Sequence, residues 1–349
     1  MVIKDIVEYV MYTRGNTNRA VLTSMLKVLV SEIEPKGDET EVGSVAELLE
    51  AIESKDEVNL KLTNNLTISE NLIIPQNKTI NLNLSEYNIN TNNKRIVVNG
   101  GTLSVEGNGS ISGSGRPFAV TNSGHLIING GHINSTNDTA IEAYQNGNVV
   151  INDGLITAQE VGVLVTTNSN VTMNGGEIST VDNFCIGGNG TSGKGGTTIN
   201  ITGGTLNGHI QSAGYVACGI YNPQDGIVNI SGGEITGENG CGVLMRAGIL
   251  NVTGGTIIGT GDPELKGKVG DSKVTVGPNG VIYDQLAHYP DSQNLEVNIS
   301  GGIVIGSNIS VDSLYDEGHE PNVNVTGGTQ IPPLDEVIYY DGGDVEGNE

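Results

Sequence analysis

The chain has 349 residues, 16 basic against 40 acidic, for a net charge of −24. That charge excludes a basic nucleic-acid-binding surface and docking on anionic lipid, and no apolar run reaches the roughly 18 residues of a membrane span. Met1 to Asp5 show no basic stretch leading into an apolar core, so no signal peptide is expected. The length exceeds what one compact core organises but suits a solenoid, which grows in one dimension.

Residues 1–34 differ from the rest: they hold 4 basic and 4 acidic residues, so the excess acid (36 against 12 basic) lies beyond them. Ile3, Ile6, Val7, Val10 and Met11 fall at helical spacing, with Tyr9 among them, and so do Leu22, Met25, Leu26, Leu29 and Ile33. Gly15-Asn16-Thr17-Asn18 interrupts the pattern, and Asn18 suits the cap of a second helix. Two short amphipathic helices cannot bury their stripes in each other, so this predicted α-helical hairpin needs a partner.

Residues 35–43 read as a charged linker. Ser44-Val45-Ala46-Glu47 is a capping box that opens a helix running to about Glu53, expected to cap the first coil of a solenoid. Irregular opening coils are expected over 58–68, 72–84 and 95–105. Residues 332–349 form an acidic, glycine-rich tail after Pro332-Pro333.

Between lies a repeat. Val171-Thr172-Met173-Asn174-Gly175-Gly176-Glu177-Ile178 is one copy and Ile199-Asn200-Ile201-Thr202-Gly203-Gly204-Thr205-Leu206 another. Pairs begin at Gly100, Gly130, Asp153, Gly175, Gly203, Gly232, Gly254, Gly301 and Gly327, with gaps of 30, 23, 22, 28, 29, 22, 47 and 26 residues. The gap of 47 is close to two periods and holds a degraded copy at 275–283. Each copy alternates apolar and polar residues, as a strand buried on one face does, and a glycine pair suits a tight corner. Gly162-Val163, Cys185-Ile186, Gly219-Ile220 and Gly242-Val243 mark a further strand per period. The fold class is therefore mainly β, a right-handed parallel β-helix of about 12 coils over 44–331, with the helical hairpin ahead of it.

The repeat also explains apparent signals. Asn-x-Thr triplets such as Asn251-Val252-Thr253 arise from the pattern, and their asparagines are expected to stack outward as a ladder. Cys218 and Cys241 occupy equivalent places in successive coils, too far apart for a disulfide, so free buried thiols are expected. The histidines lack metal-ligand spacing, and His132 sits in the solvent-facing slot shared by Glu177, Thr205, Glu234 and Thr256. Glu177 and Glu234 lie two coils apart, so no catalytic residue, cofactor or metal is assigned. Insertions at 182–196, 208–226 and 260–294 carry Tyr215, Tyr221, Tyr283 and Tyr289, the candidate glycan-facing residues.

The segment Ile3-Lys4-Asp5-Ile6-Val7-Glu8-Tyr9-Val10, the turn Asn16-Thr17-Asn18, and Val21-Leu22-Thr23-Ser24-Met25-Leu26 together resemble the N-terminal segment of head fibre proteins of short-tailed bacteriophages. The resemblance implies a homotrimeric, non-enzymatic virion fibre made in the host cytoplasm. It implies anchoring to the major capsid protein through Ile3, Ile6, Val7, Tyr9, Val10, Asn16, Asn18, Leu22, Met25, Leu26 and Leu29. The projecting β-helix would adhere to host or environmental glycans. The β-helix itself is similar to phage tailspike shafts and polysaccharide lyases, which keeps a polysaccharide-degrading enzyme as the alternative.

Overall fold

A computed structural model describes residues 38–333, apart from 271, 292, 293 and 317–321. The chain divides into two units, Met1–Glu39 and Thr40–Glu349, and the second carries the repeat. The proposed anchor residues Ile3 to Leu29, His319 and the acidic tail beyond Pro333 lie outside the described residues.

The second unit is mainly β and is built from long parallel ladders, compatible with a parallel β-helix. A typical rung contributes three short strands. In one rung these are Thr197–Ile201, Thr205–Gly208 and Ala217–Asn222. The next rung supplies Gly226–Ile230, Glu234–Glu238 and Gly240–Met245, each parallel to its counterpart. The first and second ladders belong to one 21-stranded sheet, because His125–Ser135 and Asn148–Ala158 run unbroken through the corner between them. The third ladder is a separate 10-stranded sheet.

Register keeps like residues in columns. Val171, Ile199, Val228, Leu250 and Val297 pair in succession on the first ladder. Ile156, Ile178, Leu206, Ile235, Ile257 and Val304 do so on the second. All of these are at most 1% exposed and join one continuous core. Burying each aliphatic side chain contributes about 1.5–3 kcal/mol, so every rung adds a similar increment. The last expected pair, Val323 and Val325, is only partly buried against that core.

At the other end helix α1 (Val45–Ser54) closes the stack. The Ser44 side chain accepts from the Glu47 amide at 3.2 Å, and Glu47 reaches back to the Gly43 amide at 2.8 Å. The helix lays Leu48, Ala51 and Ile52 on the same core as Val58 and Leu60.

The corner between the first two ladders turns on the second glycine of each pair. Gly176, Gly204, Gly233, Gly255, Gly302 and Gly328 have φ between +75° and +84°. They also stack closely: a Cβ on Gly233 would stand 2.9 Å from the Gly204 carbonyl oxygen. Two copies of the repeat differ from expectation. Gly100-Gly101 lies between the third-ladder strand Ile96–Asn99 and the first-ladder strand Thr102–Glu106, a different corner. The equivalent corner of that rung is Gly107-Asn108-Gly109, with φ +97° at Gly107, which accounts for the irregular gap. Nor is 275–283 a coil of its own. Leu250 pairs directly with Val297, Thr275–Val276 forms an antiparallel ribbon with Gly267–Lys268, and Val281–Asp284 is a third-ladder strand.

Outward asparagines stack as expected. On the first ladder Asn229 donates to Asn200 at 2.9 Å, Asn251 to Asn229 at 2.9 Å, Asn298 to Asn251 at 3.1 Å and Asn324 to Asn298 at 3.0 Å. A second series before the corner runs Asn174 to Asn152 to Asn129, each link 2.8 Å.

The corner geometry leads to a stability prediction. Gly233→Ala should lower unfolding free energy by roughly 1–3 kcal/mol in urea titration, because it strains the backbone and crowds Gly204. Gly115→Ala, with nothing within 4 Å of the new Cβ, should stay within about 0.5 kcal/mol. Equal effects of the two changes would refute this account of the corner.

Candidate functional site

The outer surface of the third ladder is where the chain departs from its own repeat. The outward column runs Ile73, Val97, Ala119, Glu142, Leu164, Gly187, Tyr221, Leu244, Ile282 and Asp312. Ile73 is 51% exposed, whereas Tyr221, Leu244 and Ile282 are at most 4% exposed. The difference comes from the insertions, which fold over the later rungs.

They bring a second core with them. Phe184, Cys218, Tyr221, Cys241, Leu244 and Ile282 on the outside of the sheet meet Val216, Val269 and Val276 from the covering segments. Cys218 and Cys241 are in register, and all three cysteines are free and buried. Burial pushes the Cys185 thiol up to about 12, so it is unreactive.

At the centre of the cover stands Arg246, fully buried. Its Nε donates to Asp284 Oδ2 at 2.7 Å, and Nη1 donates to Tyr221 OH at 3.0 Å and to the Val269 carbonyl at 3.2 Å. Nη2 reaches the Val274 carbonyl at 3.4 Å. The guanidinium lies 5.4 Å from the Tyr221 ring centroid and 5.8 Å from that of Tyr289. Burial works against its charge, yet Tyr221 and Asp284 hold it above its ordinary value. Burial likewise pushes the Tyr221 phenol up, so it stays neutral.

The three insertions are tied to one another. Tyr221 OH and Tyr289 OH are 3.0 Å apart, and the Asp225 amide donates to Asp291 Oδ2 at 3.2 Å. Gln224 Nε2 donates to the Val165 carbonyl and to Thr197 Oγ1, both at 2.9 Å, and its Oε1 accepts from the Asn189 amide at 2.7 Å. Gly190 passes so close to the Tyr289 ring that a Cβ there would collide at 2.1 Å.

This corrects two of the four candidate tyrosines. Tyr221 is buried beside Arg246, and Tyr283 faces inward into the main core at 3% exposure, so neither faces a ligand. Tyr215 is 42% exposed and Tyr289 is half-buried. The hidden second core and Arg246 had a legible signal. Val216 to Tyr221 and Cys241 to Met245 are nearly unbroken apolar runs, as in a strand covered on both faces.

On earlier rungs the same face carries ion pairs instead. Arg116 joins Asp138 at 3.0 Å and Glu142 at 2.8 Å, and Arg95 meets Glu142 at 3.0 Å. Burial raises the Glu160 carboxyl, and the neighbouring Asp138 charge adds to it. Against its own burial, the Thr139 amide and Arg116 hold Asp138 below the usual range.

Among the described residues no group of three or more acidic, histidine or cysteine side chains could hold a metal. Glu177 and Glu234 pair with Thr205 between them, two rungs apart. His209 meets Glu238, and His288 lies 3.5 Å from Asp316. His132 is less open than its slot suggested: it is half-buried, and its Nε2 lies 2.7 Å from Thr157 Oγ1. Comparison with protein-family models, with curated proteins and with solved structures finds no match.

Arg246→Met leaves Asp284 buried without its cation, so stability should fall by about 3–5 kcal/mol. Hydrogen exchange should quicken first over 260–290, and a uniform loss across all rungs would contradict the tying role. His132 has a pKa depressed by burial, so its contribution to stability is present above about pH 6.5 and is lost as pH falls through the lower folded value. His132→Thr, the residue found at 205 and 256 in the same column, should therefore flatten the loss of urea stability between about pH 7.5 and pH 5.

Proposed function

We propose that this chain is a structural virion protein, a head fibre of a short-tailed bacteriophage. Residues 1–34 anchor it to the major capsid protein and join three copies. The remainder forms a right-handed parallel β-helix of about a dozen coils that adheres to host or environmental glycans. The observation that carries the reading is the N-terminal pattern, Ile3 to Val10, Asn16 to Asn18 and Val21 to Leu26, joined to a ladder of strands. The interlocked insertions support it, because they give the stack one rigid lateral surface distinct from the asparagine-lined faces.

A second reading, a tailspike-like polysaccharide-degrading enzyme, draws on Glu160. A carboxyl raised by burial beside a lowered Asp138 is an acid–base pairing that glycan-cleaving enzymes use.

Purified full-length protein and a variant lacking residues 1–34 should be mixed with fibreless capsids and sedimented, with mass in solution read by light scattering. Full-length protein should pellet with capsids as a trimer, and the truncated chain should do neither. Capsid binding by the truncated chain, or a monomeric full-length protein, overturns the anchor. Reducing-end release from a capsular polymer that is abolished by Glu160→Gln would favour the enzyme.

A further inference from the structure

The corner between the second and third ladders holds a cleft of about 270 Å³ beside the insertion at 208–226. Drug-sized pockets run from about 300 to 1,000 Å³, so this space suits one small ring rather than an extended chain. Its lining is mixed: Val181 and Ile210 are apolar, and Ser179, Thr180, His209, Gln211, Glu238 and Asn239 are polar.

The polar part of the lining is organised before any ligand arrives. Gly208 and Gly237 are paired in register, so His209 and Glu238 stand at equivalent positions on neighbouring rungs. His209 Nδ1 lies 2.5 Å from Glu238 Oε2. A carboxylate can only accept, so Nδ1 carries the proton in this pair and Nε2 is turned from Glu238 as the other polar atom of the ring. The loop bearing Ile210 and Gln211 is fixed from below. Asp182 Oδ1 accepts from the Gln211 amide at 2.8 Å and the Ser212 amide at 3.1 Å, and Asp182 Oδ2 accepts from Gln159 Nε2 at 3.3 Å. Asn239 holds a left-handed conformation, φ +55°. Such pre-ordering lowers the entropy lost on binding.

We infer that this cleft is a binding site for a single uncharged pyranose ring of a glycan. Such a ring presents hydroxyl edges to Glu238, His209, Gln211 and Asn239 and a C–H face to Val181 and Ile210. The local carboxylates Glu238 and Asp182 repel uronates and sialic acids, so selectivity is for neutral sugars. This rests on the adhesion half of the proposed function, and Tyr215 is not among the residues that line the cleft.

The test is saturation-transfer NMR on the full-length protein with the methyl glycosides of glucose, galactose, mannose and glucuronic acid. At least one neutral glycoside should receive saturation and the glucuronide should receive several-fold less. His209→Ala and Glu238→Gln should each weaken the neutral signal about tenfold. Both side chains are substantially exposed, so the fold should survive, and an unchanged thermal melt confirms it. Tyr215→Ala should bind like the parent. Absence of transfer from every neutral glycoside, or transfer unaltered in both cleft variants, overturns the site. Binding of the full-length protein to intact bacteria is measured alongside. Retained cell binding with either failure sinks the cleft alone, whereas loss of cell binding as well sinks adhesion itself.

Discussion

In a ladder of parallel strands, a rung satisfies its amide and carbonyl groups only by standing in step with the rungs on either side. Every other regularity in this chain descends from that requirement. Since side chains alternate, a slip of one residue would send Leu206 outward and Asn207 inward on the second ladder. The glycine corners fix the step. Gly176, Gly204 and Gly233 stack so closely that a side chain would press on the neighbouring corner's backbone. The asparagine series is a by-product of the same alignment, because identical amides brought into register stand within hydrogen-bond reach of each other.

The third ladder shows what happens when that regularity must carry something else. Its later strands are buried on both sides, so they need apolar residues where the other ladders place asparagine or threonine. Once Tyr221, Leu244 and Ile282 are covered, the covering segments need polar partners of their own. Arg246 serves that need with one flat group, reaching Tyr221 of one insertion and Asp284 and the Val269 and Val274 carbonyls of another. A buried charge paired in this way is sensitive to the loss of either member, and that ties the order of the insertions to a single side chain.

Much of the ladder architecture was legible because period-two alternation and glycine pairs report directly on backbone geometry. The inward columns, the capping box at Ser44 and the pairing of Cys218 with Cys241 follow from local pattern alone. The errors have a common origin. Gly100-Gly101 copies the corner motif at a corner it does not usually occupy, and 275–283 copies a strand pattern inside an excursion. Short motifs do not reveal which rung they join, because strand pairing is decided by distant partners such as Leu250 and Val297. Tyr221 and Tyr283 were misplaced for a related reason. Tyr221 is covered by insertions whose folding no repeat describes, and the same holds for the cleft at His209 and Glu238, whereas Tyr283 faces the main core because Val281–Asp284 is itself a third-ladder strand.

The direct pairing of Leu250 with Val297 shows that a long excursion can leave and rejoin the stack without disturbing a single backbone bond of the first ladder. Mutational change is thereby partitioned. Substitutions within a column must suit the neighbours above and below, whereas lengthening or replacing the segment between two rungs leaves both free to pair as before. Such a scaffold lets what it exposes diversify quickly while the part that must fold drifts slowly, so lineages can exchange the segments between rungs without inventing a new core.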